Sequence, residues 1–221
     1  MITIYHVPST RSARVIWLCE ELGLPYEVVA VDFYSDYRKS PEWRRLNPIG
    51  KVPALTDLDA DGNRFSMFES GAMVHYLLER YGGGRLQPTP GTPESSHFLQ
   101  WSWFAEASLA RPLGDIVHHR WLKPEAERIP AVVADARQRA EICLDAVEAA
   151  VAERDFLLGD ELTAADVMMG YSLVLARRVE VLDDRYPKLL DYLGRLEARP
   201  GFQVAFGTEL TLRTVDGRSD A

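Results

Sequence analysis

Residues 50–55 read Gly-Lys-Val-Pro-Ala-Leu, following Asn47-Pro48-Ile49. Val52, Ala54 and Leu55 have the pattern of a buried strand, yet Pro53 among them has no N–H to give a sheet ladder. One reading is a trans proline at the first residue of an edge strand. The other is a cis Val52–Pro53 bond that turns the chain so that Val52 presents its N–H and C=O outward. A cis bond before proline costs only about 0.5–1 kcal/mol, against about 2.5–4 before other residues. A main-chain edge offered in this way pairs with a peptide-like ligand as an added strand would.

Working outward, Ile2-Thr3-Ile4-Tyr5 is short, branched and aromatic, which favours a strand. From Ser12 the period changes: Val15, Leu18, Cys19 and Leu22 share one helical face, and Gly23 ends the run. Cys19 on that face reads as a buried structural thiol. Tyr26 to Val31 is a second strand, and Asp32 to Leu46 a polar loop with a short helix. Downstream, Pro53–Leu58 and Arg64–Phe68 flank Asp59-Ala60-Asp61-Gly62-Asn63, a hairpin turn signal. Met73, Val74, Leu77, Leu78 and Tyr81 return to helical spacing. Residues 1–81 thus read as an α/β domain, strand–helix–strand–helix–strand–strand–helix.

Residues 82–93 (GGGRLQPTPGTP) are linker punctuation. Beyond them no strand is expected, and helices are read over 94–119, 130–152, 163–179 and 187–197. Val133, Ala136, Ala140, Cys143, Val147 and Ala150 form one apolar stripe. Thr163 and Asp166 have the spacing of a capping box, and the nearly all-apolar Val167–Ala176 predicts a buried central helix. The last ten residues are mostly polar and read as frayed. Residues 94–221 are therefore expected to form an all-α domain.

At 221 residues and a net charge of −8, the chain has room for a real core but no basic surface for nucleic acid. No apolar run approaches the roughly 20 residues of a membrane span. A charged start followed by an apolar stretch is also missing, so the cytoplasm is the expected location. The two cysteines, Cys19 and Cys143, form no CxxC pair. His118 and His119 are adjacent rather than four apart, which is poor for joint ligation on a helix, and no metal is expected.

Two further stretches carry chemistry. Pro8-Ser9-Thr10-Arg11-Ser12 sets hydroxyls and N–H groups at a helix N-terminus, where an anion is stabilised. The same residues serve equally as ordinary helix caps. Phe68-Glu69-Ser70-Gly71 places Ser70 as an N-cap able to meet a carboxylate, beside Glu69, which can hold an ammonium. A cap with an acidic first turn explains it as well.

The order of these stretches is more specific than any one of them. The hydroxyl loop, NPIGKVPAL, FESGAMVHYL, a Pro/Gly linker and a helical half with LTAADV together resemble the cytosolic glutathione S-transferase family over essentially the whole chain. STRSARVIWLCEELGLPYE looks like the first helix and second strand of its bacterial, serine-type members. The resemblance implies a thioredoxin-like first domain with a cis-proline loop, a helical second domain, a homodimer, and glutathione as co-substrate. The activity it implies is attack of the glutathione thiolate on a small hydrophobic electrophile. Glutathione-dependent isomerisation or peroxide reduction on the same site, and a non-catalytic ligand- or protein-binding module of the same fold, are the alternatives. It implies that Val52, before Pro53, meets the cysteinyl main chain and that Glu69 and Ser70 hold the γ-glutamyl end. Lys51 is implied to meet a carboxylate, and Arg38 and Lys39 the glycyl carboxylate; a solvated charged loop is the alternative for this last pair. For the thiol, the resemblance points to Ser9, with Thr10 its neighbour and Tyr5 the choice in a tyrosine-type enzyme. Trp103, Phe104 and Arg111 are implied to face a small hydrophobic electrophile; core packing and a surface ion pair are the alternatives.

The task implied for the hydroxyl is modest. Lowering a thiol from about 8.5 to about 6.5 needs roughly 2.7 kcal/mol of preference for the thiolate. One hydrogen bond to a charged partner contributes about 1.5–3 kcal/mol, and a helix N-terminus about 0.3–1.

Overall fold

Strand β1 (Ile2–His6) is buried along almost its whole length, as a strand at the middle of a sheet must be. The computed structural model describes residues 1–32, 35–207, 210 and 212–214. Around β1 lie β2 (Tyr26–Ala30), β3 (Ala54–Leu58), β4 (Arg64–Phe68) and β5 (Leu212–Thr214), in the order β4-β3-β1-β2-β5. β1 runs parallel to β2 and antiparallel to β3, and β3 is antiparallel to β4.

A parallel pair needs a crossover, supplied here by helix α1 (Ser12–Leu22). Val15, Leu18, Cys19 and Leu22 are buried as their spacing requires, and Gly23 closes the helix with φ +63°. The β3–β4 hairpin is closed by Asp59, whose carboxylate accepts the N–H groups of Asp61 and Asn63 at 2.9 and 2.8 Å. Between β2 and β3 lie a 3₁₀ turn (Asp36–Lys39) and helix α2 (Pro41–Leu46). Helix α3 (Ser70–Leu77) follows β4 and continues as a π-type turn over Leu78–Gly82.

The chain divides into two units, Met1–Arg85 with Arg199–Ala221, and Leu86–Ala198. This differs from the expectation of a helical domain over 94–221. The chain returns to the first unit at helix α9 (Pro200–Phe206), whose Phe202 and Phe206 rings meet Trp17 of α1 edge-on at 5.1 and 6.4 Å. Arg199 clamps Glu21 through two bonds of 2.8 and 2.6 Å. β5 then pairs in parallel with β2, Val28 opposite Leu212 and Ala30 opposite Thr214. Part of the tail read as frayed is thus a strand; residues 215–221 lie outside the described residues.

The second unit comprises α4 (Pro93–Trp103), a π-type turn (Phe104–Leu109), α5 (Ala110–Val117), a further π-type turn (His118–Leu122), α6 (Pro130–Ala150), α7 (Ala164–Arg178) and α8 (Pro187–Glu197). α7 is buried on nearly every side. Asp166 at its start is enclosed and accepts from Thr163 N–H and hydroxyl at 2.8 Å each, Leu157 N–H at 2.9 Å and Tyr192 hydroxyl at 2.7 Å. On α6 the buried row is Ala136, Ala140, Leu144 and Val147, with Cys143 half-buried beside it. Ala136, Ala140 and Val147 of the expected stripe are therefore buried, Leu144 takes the place expected for Cys143, and Val133 and Ala150 are half-buried.

Candidate functional site

The register of the sheet brings the three sequence stretches to one end of it. Tyr5 of β1 lies opposite Ala54 of β3, which lies opposite Phe68 of β4. Ser9 comes four residues beyond Tyr5, Val52 two before Ala54, and Ser70 two after Phe68. All three leave the sheet at the same end.

The Val52–Pro53 bond is cis. Among the described residues no hydrogen bond engages the Val52 N–H or C=O. Its neighbours are held tightly. The amide of buried Asn47 donates to Lys51 C=O at 2.7 Å and to Pro53 C=O at 3.2 Å, and its oxygen accepts Ile49 N–H at 3.2 Å. One side chain thus fixes the backbone on both sides of Val52. Gly50 completes the loop with φ +68°, and a Cβ there would meet the Arg38 carbonyl at 3.0 Å.

The 3₁₀ turn and α2, which both precede the loop, supply further braces. Arg44 donates to Pro48 C=O at 2.5 Å and Arg38 to Gly50 C=O at 3.4 Å. Lys39 sits in an exposed pair with Asp36 at 2.6 Å, so the two basic residues expected to act together have different neighbours. Lys51 is exposed.

At the next strand end, Glu69 has φ +74° and occupies the N-cap position of α3, while Ser70 is the first helical residue. This moves the expected cap by one residue. Ser70 is buried, and its hydroxyl oxygen accepts from the guanidinium of fully buried Arg14 at 3.2 Å. That bond occupies a lone pair of Ser70 and leaves its O–H to donate elsewhere.

The hydroxyl loop is a tight turn. Thr10 N–H returns to Val7 C=O at 3.3 Å across Pro8 and Ser9, and Ser9 has φ +61°. With Pro8 preceding it, this is the pattern of a type II turn, whose third position favours glycine. A serine there is an outlier of the kind that concentrates at functional sites. Ser9 is exposed, and no hydrogen bond of its hydroxyl is found among the described residues. Thr10 differs: its hydroxyl donates to Val7 C=O at 2.7 Å and its oxygen lies 2.8 Å from Ser12 Oγ. Its single proton is committed. Tyr5 packs under α2, edge-on to Trp43 at 5.6 Å, and burial raises its phenol above the ordinary range.

Trp103 is 62% exposed on α4. Phe104 meets Trp101 edge-on at 5.3 Å, and Arg111 pairs with Asp115 at 3.3 Å on the surface. Among the described residues no group of three or more His, Cys, Asp or Glu side chains is placed to hold a metal ion, and His119 Nδ1 accepts the Ile129 N–H at 3.2 Å. Cys19 is enclosed and burial raises its thiol.

Residues 1–79 match the model of the glutathione S-transferase N-terminal domain and residues 130–195 that of the C-terminal domain. A probable glutathione S-transferase of rice, GSTF1, is 31% identical over 87% of this chain and 89% of its own length. The chain belongs to the glutathione S-transferase family. Its first unit is accordingly a thioredoxin-like fold and its second the all-helical partner of that family. The disulfide-bond oxidoreductase YfcG of Escherichia coli is 27% identical, with all of both chains covered. The glutathione transferase URE2P6 of Phanerochaete chrysosporium, solved with oxidized glutathione, superposes with a TM-score of 0.83 at 26% identity, covering 93% of this chain and 94% of that one.

Sequence reasoning missed Asn47, Arg14 and the His6–Ser12 pair in this family member. A buried polar residue before Pro48 and a charge inside an apolar helical face were the available signals.

Proposed function

We propose that the chain binds glutathione along Val52 and activates its thiol for attack on a small hydrophobic electrophile, as a cytoplasmic homodimeric glutathione transferase. The observation that carries this reading is that the N–H and C=O of Val52 have no partner among the described residues, at the sheet end where Ser9 and Ser70 also emerge. A peptide-like ligand offers the complementary pair of groups.

Each end of the tripeptide has a chemical match. Ser70, with its oxygen engaged by Arg14, donates to the γ-glutamyl carboxylate at the start of α3, and Glu69 takes the ammonium. Lys51 and Arg38 face the glycyl carboxylate. Lys39 joins them by leaving Asp36, since an exposed pair of this kind is weak. Ser9 is the thiol's partner because its proton is uncommitted while that of Thr10 is given to Val7. Ser9 stays protonated and donates to the thiolate; the thiol proton leaves to solvent. Sulfur then forms the new bond to carbon as the leaving group departs with its electron pair. Exposed Trp103 and Arg111, with half-buried Phe104, are the residues offered for the electrophile.

A second reading is glutathione-dependent disulfide reduction on the same site, supported by the similarity to the E. coli oxidoreductase along both whole chains. Two glutathione molecules would reduce one disulfide, giving oxidised glutathione and two thiols. No protein thiol is needed, which suits a chain whose Cys19 is enclosed.

The test is binding to immobilised glutathione, followed by aryl halide conjugation and small-disulfide reduction with Ser9→Ala, Thr10→Ala and Tyr5→Phe. Ser9→Ala is expected to raise the bound thiol pKa by about 1–2 units, the worth of one charge-assisted bond. Tyr5→Phe should leave it in place. Loss from Tyr5→Phe alone would overturn the assignment to Ser9, and absence of glutathione binding would overturn the whole reading.

A further inference from the structure

His6 ends β1 and is buried; its Nδ1 lies 2.7 Å from the Oγ of equally buried Ser12. Ser12 Oγ is 2.8 Å from Thr10 Oγ1, which is 2.7 Å from Val7 C=O. Three short contacts in series need three protons. Val7 C=O has none, so Thr10 must donate to it. With its proton spent, Thr10 can only accept from Ser12. Ser12 in turn can only accept from the ring, and the third proton must stand on Nδ1 of His6. The longer approach of Ser12 to Val7 C=O, at 3.3 Å, offers no substitute, because using it would leave the 2.8 Å contact with Thr10 without a proton.

We infer that His6, as the neutral Nδ1–H tautomer, is a positioning residue for the thiol-binding loop: the chain His6→Ser12→Thr10→Val7 holds the turn that presents Ser9. This rests on the glutathione reading. Burial lowers His6 to about 4, so the ring is neutral at physiological pH, and the proton order is that of a tautomer rather than of a cation. The order matters because it locks the Thr10 proton inward, leaving Ser9 as the hydroxyl with a proton to give. It also ties Val7, Thr10 and Ser12 together across the turn that keeps Ser9 at φ +61°. Asparagine offers an N–H close to the position of Nδ1–H, whereas phenylalanine fills the space without one.

The experiment combines ring ¹⁵N shifts of His6 in the full chain with thiol titration of bound glutathione in His6→Phe, His6→Asn and Ser12→Ala. The expected result is a protonated Nδ1 and an unprotonated Nε2 at neutral pH. His6→Phe and Ser12→Ala should raise the bound thiol pKa and lower kcat about tenfold, the worth of one hydrogen bond. KM for glutathione should stay within about twofold, because the charged ends of the tripeptide are held elsewhere, and His6→Asn should recover most of the loss. A proton on Nε2 instead of Nδ1 overturns the inference, as does an unchanged thiol pKa in folded Ser12→Ala. A His6→Asn protein as defective as His6→Phe does so too. The ring shifts need no ligand, so a chain that binds no glutathione defeats the functional reading by itself, whatever the tautomer.

Discussion

Asn47 is the residue whose replacement most directly separates packing from presentation. Its side chain makes three bonds, to Lys51 C=O, Pro53 C=O and Ile49 N–H, from a buried position. Each ordinary bond is worth about 0.5–1.5 kcal/mol net, and a buried group left unpaired costs more. Asn47→Ala should therefore destabilise the chain by about 2–3 kcal/mol, a large share of a typical 5–15. Asn47→Asp is nearly the same shape yet should be worse by about 1–2 kcal/mol. It sets a carboxylate oxygen, in place of a donor, 2.7 Å from the Lys51 carbonyl. Urea unfolding measures both. Calorimetric titration with glutathione should show about a tenfold weaker affinity for each folded variant, because the backbone on both sides of Val52 loses its clamp. An aspartate variant as stable as the parent, or unchanged glutathione affinity in either, would refute the reasoning.

The remaining predictions concern stability. Asp166→Ala leaves four donors around α7 without their acceptor and should cost about 3–5 kcal/mol in denaturant unfolding. Tyr192→Phe should cost about 1 kcal/mol, and the double variant less than the sum; strict additivity would argue against a shared network. For His6, the folded ring titrates at about 4, below the ordinary 6.5. Between those values the unfolded chain binds a proton that the native one does not, so stability is full above about 6.5 and falls as pH drops toward 4. The contribution lost should approach about 3 kcal/mol. His6→Asn should flatten that part of the profile, and an unchanged slope would exclude His6 as its source.

Much of the fold was legible because burial repeats along the chain. Val15, Leu18, Cys19 and Leu22 had only one helical face to share, and the turn from Asp59 to Asn63 announced its hairpin. What escaped lacks a repeating pattern. β5 is three residues long and joins the sheet through backbone bonds that any side chain permits. α9 begins at Pro200-Gly201, which in isolation signals a turn. Near the candidate site, the cis bond was one of the two readings Pro53 allowed, and the helix start at Glu69 and Ser70 gave a short local signal that was off by one residue. Asn47, Arg14 and His6 were not, since each acts through a partner set by tertiary contact. Arg14 reaches Ser70 across 56 positions of sequence, a pairing that no local spacing encodes.

The division of the chain also bears on its synthesis. Trp17 is fully enclosed in the finished protein, with Phe202 and Phe206 supplying part of its cover. A ribosome must complete the whole helical unit before those rings exist. During that interval a nascent N-terminal piece carries an uncovered indole and an unpaired β2 edge, surfaces that chaperones recognise and that neighbouring nascent chains can pair with. Fragments ending before Arg199 should share this exposure permanently, and fusing residues 199–214 ahead of Met1 would relieve it at the first moment of translation.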